Sequence, residues 1–326
     1  MENRSTAGST FVLLGLAELE GLRYLNCVLL SITYLCILVL NIIIASVVLA
    51  ERSLHEPMYV LICNLAFNGI FGSTSFYPVL LKDLWTSSKI ISQGGCLAQS
   101  VCVTAYGHFE ILTFTIMAYD RFLAVCHPLH YVNLMSNTKA IRLLMECLLV
   151  SFTIVLVAFA LTMTLSFCGT EIKNIFCDNQ GILVLACTNT SMNSTFGAVS
   201  TILMLSSTIS FIVFSYGRIY IVCLRLSKES RQKAMHTLFT HLINFSVFLF
   251  GYLFLFIRYR MDSSILSVRF HVGLSLPTFL IPPLVNPLVF GVRTKALKSK
   301  IVYHLKRWMH MHSKLTHCTE QKNTME

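Results

Sequence analysis

Charge is what this chain has least of. Only 12% of its 326 residues are Asp, Glu, Lys or Arg, where a soluble domain carries about a quarter. Mean hydropathy is +0.69, so the chain reads as a polytopic membrane protein rather than as two water-soluble domains. Acids are scarcer than bases, 15 against 25, and the net charge is +10. That positive charge is not gathered into a compact Lys/Arg cluster interleaved with aromatics, which argues against nucleic acid as a partner. Internal repeats, paired broken helices and recurring intramembrane charges are missing too, which argues against a transporter or channel. Met1 to Glu20 holds no basic leader with an apolar core and a small-residue cleavage site, so the first apolar segment is expected to be its own targeting signal.

What is present is a series of uncharged runs. Residues 1–23 form a short polar lead. Between Arg23 and Glu51 lie 27 residues without charge, enough to span about 30 Å of hydrocarbon; Asn41 sits inside. A second run lies between Glu56 and Lys82, with Asn64 and Asn68 in its interior. The third begins near Cys96 and ends at Asp120, interrupted by His108 and Glu110. The fourth follows Arg142 and runs to about Phe167, with Glu146 near its start; the fifth covers Phe196 to Tyr220, the sixth Thr237 to Ile257 and the seventh Phe270 to Val292. Pro277, Pro282, Pro283 and Pro287 fall in the seventh, where neighbouring helices can satisfy the carbonyls that proline frees. The expected fold class is therefore an all-α membrane protein, a bundle of seven transmembrane helices over residues 24–292. It is followed by an amphipathic helix over 293–309, with Leu297, Ile301, Leu305 and Trp308 on one face, along the inner leaflet of the lipid bilayer. A polar cytoplasmic tail, 310–326, completes the chain.

Seven spans put the two ends on opposite sides. With the N-terminus outside, 17 of the 25 Lys and Arg residues fall inside, as the positive-inside rule requires. Cys96, Cys168, Cys177 and Cys187 then lie on the outer, oxidising side, where four cysteines allow three pairings. The sequons at Asn3, Asn189 and Asn193 lie there as well and are candidate glycosylation sites. Cys318, on the inner side, is a candidate for palmitoylation.

A few polar residues stand out against this background. Asp120 and Arg121 close the third span; an adjacent acid and base at the edge of an apolar run need partners or the membrane boundary. Glu110 is the deepest acid, 11 residues before Arg121, or roughly 16 Å further out at 1.5 Å per residue. His108 and Glu110 are two apart on a helix and do not face each other, so they make no catalytic pair, and no enzyme is expected. The seventh span has no Lys, which excludes a retinal-binding pump.

The motifs resemble those of a known family. Leu54-His55-Glu56-Pro57-Met58-Tyr59 lies between the first two spans. Met117-Ala118-Tyr119-Asp120-Arg121 is followed by Cys126-His127-Pro128-Leu129-His130-Tyr131. Ser215-Tyr216 closes the fifth span, Lys233-Ala234, Thr237 and His241 open the sixth, and Pro282 to Pro287 with Gly291 and Arg293 mark the seventh. Together these resemble the odorant receptors among the rhodopsin-like G-protein-coupled receptors, and the residues around Asn68, Gly72 and Lys82-Asp83-Leu84 resemble their fish-type branch.

The resemblance implies a ligand-activated receptor in the plasma membrane of sensory-neuron cilia. It would bind a small-molecule odorant, couple to a heterotrimeric, stimulatory G protein and raise cyclic AMP, with no cofactor and no metal. It implies an activation switch of Asp120, Arg121, Tyr216, His241, Asn286 and Pro287, in which Arg121 pairs with Asp120 at rest and turns toward Tyr216 on activation. It implies the disulfides Cys96–Cys177 and Cys168–Cys187. Two departures matter. Where the family has an Asp in the second span, this chain has Gly69, so Glu110 is expected to rely on Asn41 and Asn68 instead of a second carboxylate; and Phe290 replaces the usual Tyr. The ligand pocket is expected on the outer half between the third, fifth and sixth spans. Depth and helical period place Val103, Thr104, Gly107, His108, Ile111, Ser200, Met204, Phe250, Phe254 and Ile257 around it. Val103 is not an acid, which argues against a biogenic-amine ligand. Arg258 and Arg260, just outside the sixth span, could attract anionic ligands.

Overall fold

A computed structural model describes residues 10–225, 227–258, 267–307 and 309. Among the described residues seven long helices form the bundle: Arg23–Ala50, Pro57–Thr86, Gln93–Cys126, Asn137–Met163, Ser191–Leu224, Lys228–Arg258 and Val268–Arg293. Six of them are long and apolar enough to cross a membrane, and the sixth in order carries a shorter apolar stretch, His241–Ile257. Local chemistry sets the ends. Ser92, Ser136 and Ser267 each accept a backbone N–H of the first turn of the helix they cap, and Pro57 occupies a first-turn position where its missing N–H costs nothing. Ser87, at φ 51°, turns the chain out of the second helix in the left-handed conformation.

The third helix is the axis. It packs against the second, fourth, fifth and sixth helices and is the most buried of the six that are long and apolar enough to cross a membrane. The first and fourth are peripheral. On the first, Leu25, Val28, Leu29, Ile32, Leu35, Val39 and Ile42 form an exposed apolar stripe while Leu30, Ile37 and Ile44 face inward. Lipid tails are as apolar as these side chains, so the stripe is at no disadvantage there.

The seventh helix shows how its prolines are accommodated. Pro287 has no N–H to offer the carbonyl four residues back, and that carbonyl, Pro283 O, instead accepts 2.9 Å from Asn41 Nδ2 of the first helix. Asn41 also donates to Ile37 O at 2.8 Å. Gly69 makes room for it: a Cβ there would lie 3.3 Å from Asn41 Oδ1. Beyond Thr294 a helix over 295–307 folds back under the bundle, with Leu297 fully buried and Ile301 packed on the core. Glu51, in the turn after the first helix, accepts from Lys300 Nζ at 2.7 Å and His304 Nε2 at 2.9 Å. These bonds, Lys300's first, hold the Glu51 carboxyl below the usual carboxylate range, so the contact persists above that range and is lost as pH falls through the lowered value. The expected role of Trp308, and the tail with Cys318, lie outside the described residues.

Residues 10–22 are not the simple polar lead expected from composition. Thr10–Leu13 is a strand, β1, at the centre of a three-stranded sheet. It runs antiparallel to β2, Ile90–Ser92, and parallel to β3, Glu171–Ile172. Phe11, Leu13 and Leu16 are buried, and Phe11 meets Phe167 edge-on at 5.7 Å. Only burial alternates along this strand; Phe11, Val12, Leu13 and Leu14 are all apolar, so the sequence carries no period-2 signal. Glu18 pairs with Arg269 of the seventh helix at 2.6 Å, so the cap reaches across the outer face.

At Gly15 a Cβ would sit 2.5 Å from the backbone carbon of Asn174. Backbone cannot yield as a flexible side chain can, so Gly15→Val is expected to destabilise the outer cap by about 1–3 kcal/mol. Thermal unfolding of the purified receptor should show a lowered midpoint; an unchanged midpoint would count against a close-packed cap.

Candidate functional site

The functional side chains lie at three depths along the third helix. At its C-terminal end, Asp120 is fully buried. Its Oδ2 accepts from Arg121 Nε at 3.0 Å and lies 2.7 Å from the NH2 nitrogen of the same guanidinium. Its Oδ1 accepts from the Tyr131 hydroxyl at 2.7 Å. Both carboxylate oxygens are thus engaged, as a buried charge requires. Tyr131 is the partner the sequence reading did not single out, although it closes the motif that begins at Cys126. It belongs to the short helix Tyr131–Leu134 after the third span. Asn137 Nδ2 donates to His55 O at 2.6 Å, tying that loop to the turn between the first and second helices. Nearby, Ile219 and Cys223 of the fifth helix close on Leu238 of the sixth, with Phe122, Val125, Cys126 and Tyr216 packed against them. His241 is buried one turn further in, its ring 5.4 Å from Phe290. The side chains of Lys233, Thr237 and Arg293 lie outside the described residues.

At mid-depth Glu110 is fully buried. Asn68 Nδ2 donates to its Oε2 at 2.5 Å and Asn286 Nδ2 to its Oε1 at 2.6 Å. One acid therefore joins the second, third and seventh helices. The expected help from Asn68 is there; that from Asn41 is not, because Asn41 is taken by the carbonyl that Pro287 frees. Asn286, placed only in the switch by the motif, supplies the second donor. No group of three or more metal-ligating side chains occurs among the described residues.

Toward the N-terminal half of the third helix lies a cavity of about 140 Å³. Val103, Thr104, Gly107, His108 and Ser200 line it, together with Tyr106, Thr201, Phe248, Tyr252, Thr278 and Phe279. Its roof is Phe176, Asp178, Asn179 and Gln180 from the loop between the fourth and fifth helices. That loop is held by Cys96–Cys177 and Cys168–Cys187. The Cys177 N–H also donates to Gln99 Oε1 at 2.9 Å.

Five residues expected in the wall are elsewhere. Ile111 and Met204 are packed in the core, and Phe254 stands edge-on against Phe270. Phe250 and Ile257 are 73% and 48% exposed on the outside of the sixth helix. The sixth helix is apolar on every side over this stretch, so hydropathy carries no phase; Phe248, Tyr252, Leu255 and Phe256 are the residues that turn inward. Arg258 lacks a described side chain, and Arg260 and Asn3 lie outside the described residues. Asn189 is exposed, its Oδ1 accepting from Ser191 N. Asn193 is buried in the first turn of the fifth helix, where a bulky glycan does not fit.

This architecture has known counterparts. The structure of squid rhodopsin superposes with a TM-score of 0.70 over 89% of this chain and 87% of that one, at 16% identity, which shows a shared fold. A family model described as olfactory receptor matches residues 30–307. Human olfactory receptor 51L1 is 32% identical over 92% of this chain and 96% of its own length. Human olfactory receptor 6X1 is 32% identical over 91% and 95%, and rat olfactory receptor 51E2 is 31% identical over 90% and 92%. The chain belongs to the olfactory receptor family of seven-helix G-protein-coupled receptors.

Two variants test the geometry. Tyr131→Phe strips one donor from a buried carboxylate and is expected to destabilise the fold by about 1–3 kcal/mol. Thermal unfolding of the purified receptor reads it, and an unchanged midpoint would show the bond to be dispensable. Asn41→Leu leaves the Pro283 carbonyl unpaired in an apolar interior and should lower the melting temperature by a similar free energy; a melting temperature equal to that of the parent would contradict that role.

Proposed function

We propose that this receptor binds a small organic molecule in the outer cavity and, through the inner latch, activates a stimulatory olfactory-type G protein to raise cyclic AMP. The observation that carries this reading is the fully buried Asp120 bonded to both Arg121 and Tyr131. Such a contact stabilises one packing of the inner face and can be exchanged in another, which is what a switch needs. The N-terminus faces outward in this reading, supported by the distribution of basic residues and by two disulfides on the same side as the cavity roof. The cell membrane of sensory cilia is its place of work.

Between cavity and latch, Glu110 couples the third helix to the second and seventh, so a ligand that shifts the third helix strains the bonds to Asn68 and Asn286. Phe290 contributes no hydroxyl beside His241, so the inner half of the seventh helix relies on packing there. A cyclic AMP reporter in cells carrying the receptor, screened against an odorant panel, should give responses that Arg121→Ala reduces at least about tenfold at equal surface density. Ligand-evoked current persisting without a G protein would refute the proposal.

A further inference from the structure

Resting on the assignment of the outer cavity as the ligand site, we propose that His108 is its specificity-determining residue, and that the ligand it selects is a neutral molecule carrying a hydroxyl group. Several other polar groups in the wall are already committed. Thr104 Oγ1 donates to Ser100 O at 2.8 Å, and Ser200 Oγ to Phe196 O at 2.7 Å. Tyr252 is hydrogen-bonded to Thr201. Asn179 Oδ1 accepts from Thr162 at 2.9 Å, and Asp178 Oδ1 caps Gly181 N at 2.8 Å. His108 differs. It lines the cavity and is 4% exposed, and its Nδ1 has no partner among the described residues.

A half-turn about Cβ–Cγ exchanges Nδ1 with a ring carbon without moving the ring plane, so the nitrogen can serve either side of the imidazole. A ring nitrogen offers an N–H in one tautomer and a lone pair in the other. A hydroxyl both donates and accepts, so it satisfies His108 in either tautomer. A hydrocarbon leaves the buried nitrogen unpaired, which is where selectivity against it arises. A carboxylate meets no Lys or Arg among the lining residues, and an ammonium meets only Asp178, whose carboxylate is already holding a helix start. Either ion would enter the cavity without a free counter-charge. Two lining residues compete with it among the described residues: Tyr106, whose hydroxyl is also buried without a partner, and Gln180, whose amide sits in the roof. The Tyr106 ring is laid across Gly72 of the second helix, where any Cβ would collide with it.

The test uses the full-length receptor in cells with a cyclic AMP reporter and surface labelling. The panel is a set of straight, branched, cyclic and aromatic alcohols, each matched with the hydrocarbon, carboxylate and amine of the same skeleton. Alcohols should activate and their partners should not. His108→Leu should weaken the active alcohol about tenfold or more, while His108→Gln, which keeps a donor and an acceptor, retains most of its potency at equal surface density. The proposal is overturned if a hydrocarbon, carboxylate or amine matches its alcohol, or if His108→Leu leaves potency unchanged. It is also overturned if Tyr106→Phe or Gln180→Ala abolishes a response that His108→Leu spares. A silent panel with an Arg121-dependent basal signal removes the hydroxyl proposal and leaves the receptor; silence with no such signal removes both.

Discussion

A polar group within the hydrocarbon layer has no water to turn to, and the arrangement of this bundle follows from that constraint. Each unpaired donor or acceptor there costs several kcal/mol in principle, and several polar residues sit where elements meet and bond across the contact. Asn41 reaches a proline-freed carbonyl, Asn68 and Asn286 grip Glu110, and Tyr131 with Arg121 holds Asp120. These bonds join helices that apolar packing alone would leave free to slide, because lipid competes equally for an apolar face. The third helix contributes an acid at two of the three depths, which explains why it lies at the centre and why the first and fourth lie at the rim.

The same logic accounts for the two departures from the family pattern. With Gly69 in the second helix the second carboxylate is gone, and its space accommodates Asn41. Two amide donors then serve the one remaining acid. The middle of the bundle, between the cavity and Asp120, is thereby held by amide-to-carboxylate bonds. Phe290, fully buried against His241, makes the next level an aromatic contact.

Much of this was legible in the sequence, for physical reasons. Uncharged runs must be long enough to cross hydrocarbon, so the crossings were countable. Asp120, Arg121, Glu110 and Asn68 are costly in such runs and so advertised themselves. The phase of the sixth helix was not legible: where every face is apolar, Phe250 and Phe248 look alike, and only packing tells the outward residue from the inward one. Asn193 fits a sequon as well as Asn189 does, but a pattern of three residues carries no information on burial. Tyr131 lay within a quoted motif without an assigned role, because its bond to Asp120 closes a loop that folds back only in three dimensions.

β1 is made first and finds its partners late. It sits between β2, which follows the second crossing, and β3, which follows the fourth. The sheet therefore cannot be completed while the chain is only partly synthesised; the N-terminal strand waits until the segment carrying Cys168 and Cys177 has emerged. Closure of the cap is thus a late event in biogenesis. The two disulfides lock a roof whose central strand has been held in reserve, so a chain stalled before its fourth crossing would expose Phe11 and Leu13, marking it as unfinished to any quality-control system that recognises exposed apolar strands.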